Sequence, residues 1–159
     1  TVFLSSGSTV LEAARALRGR QNLTVITNSL AVVNALAGAD GVTVICLGGM
    51  LRNSELSFIG HITEQALAEL RADKILIGTR AISLEHGLTH EYLPETVTDR
   101  AVLKAGKEIV VLADHTKFGR AAAVLLAPLT SIHTIVTDGQ TPDEFVSAVE
   151  ELGIRVIKG

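Results

Sequence analysis

The sequence has one cysteine and fewer basic than acidic residues, and each shortage excludes a kind of bond or partner. A single cysteine, Cys46, cannot form an intrachain disulfide. Because Cys46 lies in the apolar run VTVICL, we expect its thiol to be a small buried hydrophobic group. The 14 lysines and arginines against 17 acidic residues give a net charge of −3. This charge offers no general attraction to nucleic acid or to anionic membranes.

Long apolar runs are also missing. No run approaches the roughly 18 residues that a membrane-spanning helix needs, and the start, TVFLSSG, lacks the basic lead of a signal peptide. We therefore expect a soluble, cytoplasmic protein with no membrane partner. The first residue is Thr1 rather than methionine, and an apolar strand begins almost at once, so we also expect a fragment or a processed product.

The chain does have enough apolar residues for one substantial core. It is 159 residues long and 47% hydrophobic, which predicts a single domain over residues 1–159. Short apolar runs recur, with helical patterns between most of them: VFLS, LTVIT, VTVICL, KILIGT, EIVVLAD, TIVTD and IRVIK. Such alternation predicts an α/β fold with a mainly parallel sheet and helices on both faces.

Helical periodicity predicts five helices and the stripes that they bury. The predicted helices span residues 8–18, 29–37, 61–71, 94–106 and 142–152. In the second helix the predicted buried stripe is Leu30, Val33 and Leu36, and Thr141 is the predicted cap of the last. The apolar segment 121–129, AAAVLLAPL, predicts a buried strand or helix, with a contact between subunits as the alternative.

Small polar residues follow several of the predicted strands. These segments are SSGST at 5–9, TNS at 27–29, GGMLR at 48–52, GTRA at 78–81 and ADHTKFG at 113–119. In a parallel sheet the carboxyl ends of the strands meet at one edge, where helix amino ends can bind an anion. Arg52 and Lys117 add positive charge at the same edge. Alone, SSGST is equally compatible with a tight turn and a helix cap.

Several signatures are absent. The sequence contains neither a P-loop nor a dinucleotide fingerprint, and no cofactor is expected. The five histidines are scattered without the spacing of a zinc site, so we predict no metal. His90 and His115 lie in the candidate site loops, where hydrogen bonding and plain solvent exposure are both possible roles.

Taken in order, SSGST, TNS, LGGMLRNSELSFIG, GLTH, VLADHTKFG and TIVTD resemble the C-terminal effector-sensing domain of the DeoR family of bacterial transcriptional regulators. The resemblance extends over nearly the whole chain. It implies a Rossmann-like three-layer sandwich of the ribose-5-phosphate isomerase type. It further implies a sensor of a phosphorylated sugar or polyol, joined to an N-terminal winged helix-turn-helix that binds operator DNA and is not in these residues. The regulator is expected to be a homodimer or homotetramer.

The resemblance also assigns site residues by position. The first phosphate loop would be Ser6, Gly7, Ser8 and Thr9, and the second would be Thr27, Asn28 and Ser29. A pocket wall would consist of Gly48, Gly49 and Arg52, and Asp114 and Lys117 would face the sugar hydroxyls. The closing loop would contain Gly87, Leu88 and Thr89. The remaining predicted effector-binding residues are Gly78, Arg80 and His90.

One segment departs from the related enzymes. The isomerases have an Asp-Gly-Ala-Asp stretch after the fourth strand, where this chain has Arg80 and Ala81, so the carboxylates of a proton-abstracting enzyme are missing there. We therefore predict a sensor with no catalytic residues. Arg80 is expected to bind an anionic effector or to pair with Asp73 or Glu85. The alternatives are an isomerase or deaminase with Glu91 or Asp114 as base, and an oligomerisation domain without a working pocket.

Overall fold

A computed structural model describes residues 1–159 as twelve strands and five helices. The strands are β1 Val2–Leu4, β2 Leu23–Thr27, β3 Val42–Cys46, β4 Met50–Arg52, β5 Ser57–Ile59, β6 Ala72–Gly78, β7 Ala81–Ser83, β8 Gly87–His90, β9 Gly106–Leu112, β10 Val124–Ala127, β11 Thr134–Thr137 and β12 Arg155–Lys158. The helices are α1 Ser8–Leu17, α2 Leu30–Leu36, α3 His61–Ala68, α4 Leu93–Lys104 and α5 Asp143–Glu151. Two short 3-10 turns cover His115–Lys117 and Leu129–Ser131.

The seven apolar runs predicted as strands form one parallel sheet. Its order is β12-β11-β9-β6-β1-β2-β3, and every pairing within it is parallel. From β1 the chain first moves outward through β2 to β3, and from β6 it moves outward in the other direction. The order therefore reverses between β1 and β6, at the place where open α/β sheets bind ligands.

Both faces of the sheet are covered. Leu4 of β1 packs with the buried residues of α1 and α2 on one face, while its neighbour Phe3 packs with buried residues of α3, α4 and α5 on the other. Adjacent residues of a strand point to opposite faces, so a strand buried on both sides is apolar throughout. The predicted three-layer α/β sandwich is confirmed.

Two small antiparallel sheets flank the carboxyl edge of the main sheet. One is the β4-β5 hairpin, and the other has the order β10-β8-β7. Ile82 of β7 and Leu88 of β8 are fully buried and extend the core beneath the second sheet. Of these five strands the sequence pattern indicated only β10, which lies in the apolar segment 121–129 predicted as a strand or helix. The other four are only three or four residues long.

The helix predictions were confirmed in position, with errors at the ends. Ser29 precedes α2 as its cap, and its side chain accepts a hydrogen bond from Val32 N–H at 3.3 Å. The predicted cap role of Thr141 is wrong. Helix α5 begins two residues later, at Asp143, and the Thr141 hydroxyl instead lies 2.6 Å from the hydroxyl of Thr137.

Two burial predictions also need correction. Cys46 is exposed rather than buried, because β3 is the edge strand of the sheet. Segment 121–129 is only partly interior. Leu126 and Ala127 of β10 are buried, whereas Leu125 of the same strand is 51% exposed. The pairing of β10 with β8 shifts register between Leu125 and Ala127, so burial does not simply alternate along this strand. None of the five helices combines the length and the apolar character needed to cross a membrane.

Candidate functional site

The largest concentration of predicted site residues surrounds a cavity at the point where the strand order reverses. The cavity has a volume of about 230 Å³. Its walls come from the segments that follow β1, β6 and β9, from the β4-β5 hairpin and from the start of α4. Nine predicted residues line it: Ser6, Gly7, Ser8, Thr9, Arg52, Gly78, Arg80, His90 and Lys117.

The amino end of α1 opens onto this cavity without a cap. Gly7 precedes the helix with φ 117°, and no side chain accepts a hydrogen bond from the first-turn amides. The first turn also contains no acidic residue. Helix amino ends carry a partial positive charge and free N–H groups. With the hydroxyls of Ser6, Ser8 and Thr9 around it, this end has the donors that a phosphate group requires.

Lys117 supplies a positive charge at this cavity that no acidic side chain balances. It ends the short turn His115–Lys117, and its ammonium group makes neither a hydrogen bond nor an ion pair. Asp114 holds the turn in place by accepting a hydrogen bond from Thr116 N–H at 2.8 Å. The hydrogen bond from the Thr116 hydroxyl is the main reason that the pKa of Asp114 is lowered. Asp114 itself does not line the cavity.

Arg52 and Glu95 form a nearly buried ion pair across the cavity wall. The side chains are 23% and 10% exposed, respectively. Glu95 Oε1 also accepts a hydrogen bond from Ser57 Oγ at 2.6 Å and a longer one, 3.5 Å, from Ser6 Oγ. The Arg52 guanidinium carbon lies 4.3 Å from the centroid of the Tyr92 ring, a cation–π contact. These contacts fix the β4-β5 hairpin against α4.

His90 and Asp99 form a second pair, deeper in the wall. His90 Nδ1 lies 3.3 Å from Asp99 Oδ2, and the side chains are 11% and 7% exposed. Burial raises the pKa of Asp99, and the hydrogen bond with His90 opposes this shift. His90 Nε2 is buried without a hydrogen-bond partner. A hydrogen-bonding group brought by a ligand would satisfy it.

Arg80 pairs with neither of the acids considered for it. Its guanidinium forms an ion pair with Glu55, in the turn of the β4-β5 hairpin. Asp73 instead lies at the opposite end of β6, where it forms an ion pair with Lys107. A pairing with residues so far along the chain has no local sequence signal, so the partner was not predictable.

The predicted second phosphate loop does not line the cavity. Thr27, Asn28 and Ser29 are at most 2% exposed. The Thr27 hydroxyl donates to Leu4 O at 2.6 Å, and Asn28 Nδ2 donates to Phe58 O at 2.9 Å. Together with the capping role of Ser29, these bonds hold β2, β1 and β5 together. The three side chains act here in the scaffold beneath the cavity.

The predicted glycine wall and closing loop also lie away from the cavity. Gly49 has φ 153°, and a Cβ there would lie 2.9 Å from Ile59 O, so glycine permits the close return of the hairpin. The neighbouring Gly48 O accepts from Thr63 Oγ1 at 2.8 Å. At Gly87, φ is 71° and a Cβ would meet Ala127 O at 2.5 Å. The buried Thr89 hydroxyl accepts from Ala122 N–H at 2.7 Å.

Sequence reasoning missed most of the acidic lining of the cavity. Glu55, Glu95 and Asp99 line it together with Glu91, which was considered only as the base of an enzyme. Glu95 and Asp99 are four residues apart in α4 and therefore share a face of that helix. This spacing after Pro94 was the available signal. Helix α4 thus adds two carboxylates to the cavity wall, both of them paired with basic side chains.

One other cluster has the composition of a metal site. The ligand atoms of Asp114, His115 and Asp138 lie within 4.8 Å of one another. Asp138 Oδ2 already accepts from His115 N–H and lies 2.9 Å from His115 Nδ1. Hydrogen bonds within the protein account for these groups, and we assign no ion to them. The expectation that the chain binds no metal stays a prediction.

Comparison of the sequence with known proteins shows the family of this chain. The model described as DeoR C terminal sensor domain matches residues 1–139. The chain is 31% identical over 155 residues to the HTH-type transcriptional regulator IolR of Bacillus subtilis (strain 168), covering 98% of the chain and 62% of that protein. It is 30% identical over 156 residues to the glycerol-3-phosphate regulon repressor of Escherichia coli (strain K12), again covering 98% and 62%.

A third relative is the transcriptional repressor AccR of Agrobacterium fabrum (strain C58 / ATCC 33970), 32% identical over 142 residues, with 89% of the chain and 55% of that protein covered. The chain therefore spans 55–62% of the length of these curated relatives. Among solved structures, eIF2B beta from Chaetomium thermophilum superimposes with a TM-score of 0.55 at 18% identity, covering 84% of this chain and 42% of that one. This likeness shows a shared fold alone.

The family match and the motifs agree. The match begins at residue 1 and includes every predicted site residue, from Ser6 to Lys117. It also includes all the cavity-lining residues, from Ser5 to Lys117. The resemblance drawn from the motifs is confirmed: this chain belongs to the DeoR C-terminal sensor domain family.

Proposed function

We propose that this chain is the effector-binding domain of a bacterial transcriptional repressor of carbohydrate metabolism, and that its effector is a phosphorylated sugar or polyol. The relatives are named as transcriptional regulators and repressors, one of them of the glycerol-3-phosphate regulon. The single observation that carries the proposal is the uncapped amino end of α1, which opens beside Lys117 onto a polar cavity.

In this proposal the phosphate binds at the amino end of α1. The amides after Gly7 and the hydroxyls of Ser8 and Thr9 donate hydrogen bonds to its oxygens, and Lys117 balances its charge. The rest of the ligand extends toward α4, where His90 Nε2 lacks a partner. Sugar hydroxyls both donate and accept hydrogen bonds, so they match the mixed polar groups at this end.

Regulation requires that the effector bind one arrangement of the regulator more tightly than another. We propose that the regulator is a cytoplasmic homodimer or homotetramer. Operator DNA would be bound by a winged helix-turn-helix that precedes these residues in a longer polypeptide. The net charge of −3 agrees with a chain that does not itself bind DNA. Effector binding would then change the geometry in which those DNA-binding domains are presented.

The first test removes the free positive charge. Lys117→Ala should weaken the binding of hexose 6-phosphates or polyol phosphates by roughly tenfold to a hundredfold, because a hydrogen bond to a charged group contributes about 1.5–3 kcal/mol. Isothermal titration calorimetry measures the affinity.

Lys107→Ala is the matched control, because Lys107 is exposed at the opposite edge of the sheet and pairs with Asp73. Equal affinities for the wild type and Lys117→Ala would contradict the proposed phosphate position. An absence of heat with every phosphorylated sugar and polyol, up to millimolar concentration, would overturn the proposed function itself.

An isomerase or deaminase is the second candidate, and the acidic lining of the cavity favours considering it. A general base must have a free carboxylate within reach of its substrate. Glu95 is engaged by Arg52 and Ser57, Asp99 by His90, and Glu55 by Arg80. Of the acids that line the cavity, this leaves Glu91. We expect the purified chain not to convert pentose or hexosamine phosphates. Turnover that Glu91→Gln abolishes would establish this alternative.

A further inference from the structure

The charged groups around the cavity are already paired with one another, with two exceptions. Arg52 is paired with Glu95, Arg80 with Glu55, and His90 with Asp99. The exceptions are Lys117, which has no ion pair, and the exposed Glu91. Although three basic side chains of lysine and arginine surround the cavity, only one of them has a charge that is not already balanced.

We propose that this cavity selects ligands with a single phosphate group and no second anionic group. This inference rests on the proposed function and narrows its ligand class. The one phosphate takes the amino end of α1 and Lys117. The other end of the ligand faces Glu91, Glu95 and Asp99, so it must not carry a negative charge. Sugar bisphosphates and phosphorylated sugar acids are therefore excluded.

Glu95 is the main obstacle to a second anion. A phosphate or carboxylate at Arg52 would have to displace a carboxylate that is 10% exposed and also accepts from Ser57 Oγ at 2.6 Å. The displaced charge would be left buried and unpaired, which is strongly unfavourable. If Glu95 stayed, two like charges would meet in a poorly hydrated wall, and such juxtaposition opposes binding.

At the rim of the cavity, Glu55 also opposes the binding of a second anion. Its side chain is 22% exposed and pairs with Arg80, which is 46% exposed. Because this pair is closer to water than the pair of Arg52 and Glu95, its removal disturbs the core less. Glu55→Gln is therefore the variant that releases a positive charge toward the cavity without leaving an unpaired buried group.

The size of the cavity agrees with a small ligand. A volume of about 230 Å³ lies below the roughly 300–1,000 Å³ of sites for drug-sized molecules. One phosphate with a short polyhydroxylated chain or one sugar ring is of suitable size. A second phosphate with its hydration would have to extend past the rim, toward Glu55 and Arg80.

The test compares probes that differ in the number of anionic groups. Calorimetric titration of the 159-residue chain uses inorganic phosphate, glycerol phosphate, hexose 6-phosphates, a hexose bisphosphate and 6-phosphogluconate. We expect at least one of the monophosphates of sugars or polyols to bind, and the bisphosphate and the sugar acid to bind at least about tenfold more weakly than it does.

A bisphosphate or a phosphorylated sugar acid that binds as tightly as the best monophosphate, or more tightly, would overturn this inference while supporting the proposed function. If no phosphorylated probe binds, the proposed function fails and this inference fails with it. The two failures are therefore distinguishable in one titration series.

The variant Glu55→Gln tests the mechanism of selection. We expect it to reduce the preference for monophosphate over bisphosphate by roughly fivefold or more, because Arg80 then lacks an internal counter-charge. Glu108→Gln is the matched control: Glu108 also pairs with a basic residue, Lys74, but at the opposite end of strands β6 and β9. An unchanged preference in Glu55→Gln, equal to that of the control, would show that Glu55 does not set the selectivity.

Discussion

Arg52 is held by three different interactions, and its position illustrates how individual side chains define the cavity. Its guanidinium pairs with Glu95 and stacks on Tyr92, while β4 fixes its backbone. Guanidinium groups suit such sites because they are planar and more weakly hydrated than ammonium groups. The same set of contacts makes Arg52 a structural element of the wall as well as a lining residue.

The buried pair of Arg52 and Glu95 should show non-additive effects on stability. Glu95→Leu alone should lower the free energy of unfolding by about 3–5 kcal/mol, because it leaves Arg52 without its counter-charge. The double variant Arg52→Met/Glu95→Leu should lose much less, since neither charge remains. Urea denaturation of both single variants and the double variant measures the coupling. A double variant as unstable as the sum of the single variants would contradict this account.

Element α1 depends on a backbone conformation at its amino end rather than on a capping side chain. Gly7 has φ 117°, and a Cβ there would meet no atom within 4 Å. Its requirement for glycine is therefore one of conformation and not of space. The missing cap leaves the first-turn amides available to a ligand.

Replacement of Gly7 tests this element. Gly7→Ala should destabilise the fold by about 1–2 kcal/mol and weaken phosphate binding, because an L side chain strains this backbone conformation. Gly19→Ala is the control: Gly19 also has open space around it but no positive φ, and the change should be neutral or slightly stabilising. Thermal denaturation and titration with a hexose 6-phosphate give both quantities. Equal effects of the two substitutions would count against the role of Gly7.

The turn that carries Lys117 is tied to the end of β11 by Asp138. The hydrogen bond from His115 N–H is the main cause that lowers the pKa of Asp138 from its ordinary value of 3.8 to about 2. Because the pKa is lower in the folded state, the carboxylate stabilises the fold above pH 3.8. This contribution is lost as the pH falls toward 2.

Asp138→Asn should therefore reduce the decline in unfolding free energy between about pH 4 and about pH 2. Urea unfolding at several pH values in this range measures the slope. Asp40→Asn, at an exposed aspartate whose carboxylate makes no ion pair, is the control and should keep the slope of the wild type. Parallel curves for Asp138→Asn and the wild type would refute the assignment.

Some helices and strands were predictable from the sequence, and others were not. The runs that became the parallel sheet were recognisable because strands buried on both faces are apolar at every position. In α2 the helix was predicted, but Val32 and Leu36 are its buried residues, and Leu30 and Val33 are only half-buried. The three-residue strands Met50–Arg52 and Ala81–Ser83 are too short to have a period. Each pairs with the next strand along the chain in a short hairpin, Ser57–Ile59 and Gly87–His90 respectively.

At the scale of the whole molecule, the cavity lies between two halves of the sheet. Residues after β1 belong to the half that leads to β3, and residues after β6 belong to the half that leads to β12. The sequence could place residues 5–9 at this edge because the carboxyl ends of parallel strands meet there. It could not place α4, since the approach of Glu95 to Arg52 joins residues 43 positions apart.

The pairing of the two arginines has a kinetic consequence. With their charges balanced locally, and with an overall charge of −3, the molecule exerts no long-range attraction on an anionic ligand. Electrostatic steering, which accelerates encounter at charged clefts, is absent. Capture then depends on diffusion to the mouth of the cavity and on the short reach of Lys117, within one Debye length of about 8 Å at physiological ionic strength. If the cavity binds a phosphorylated ligand as proposed, a high affinity must therefore come from a long lifetime of the complex rather than from fast association.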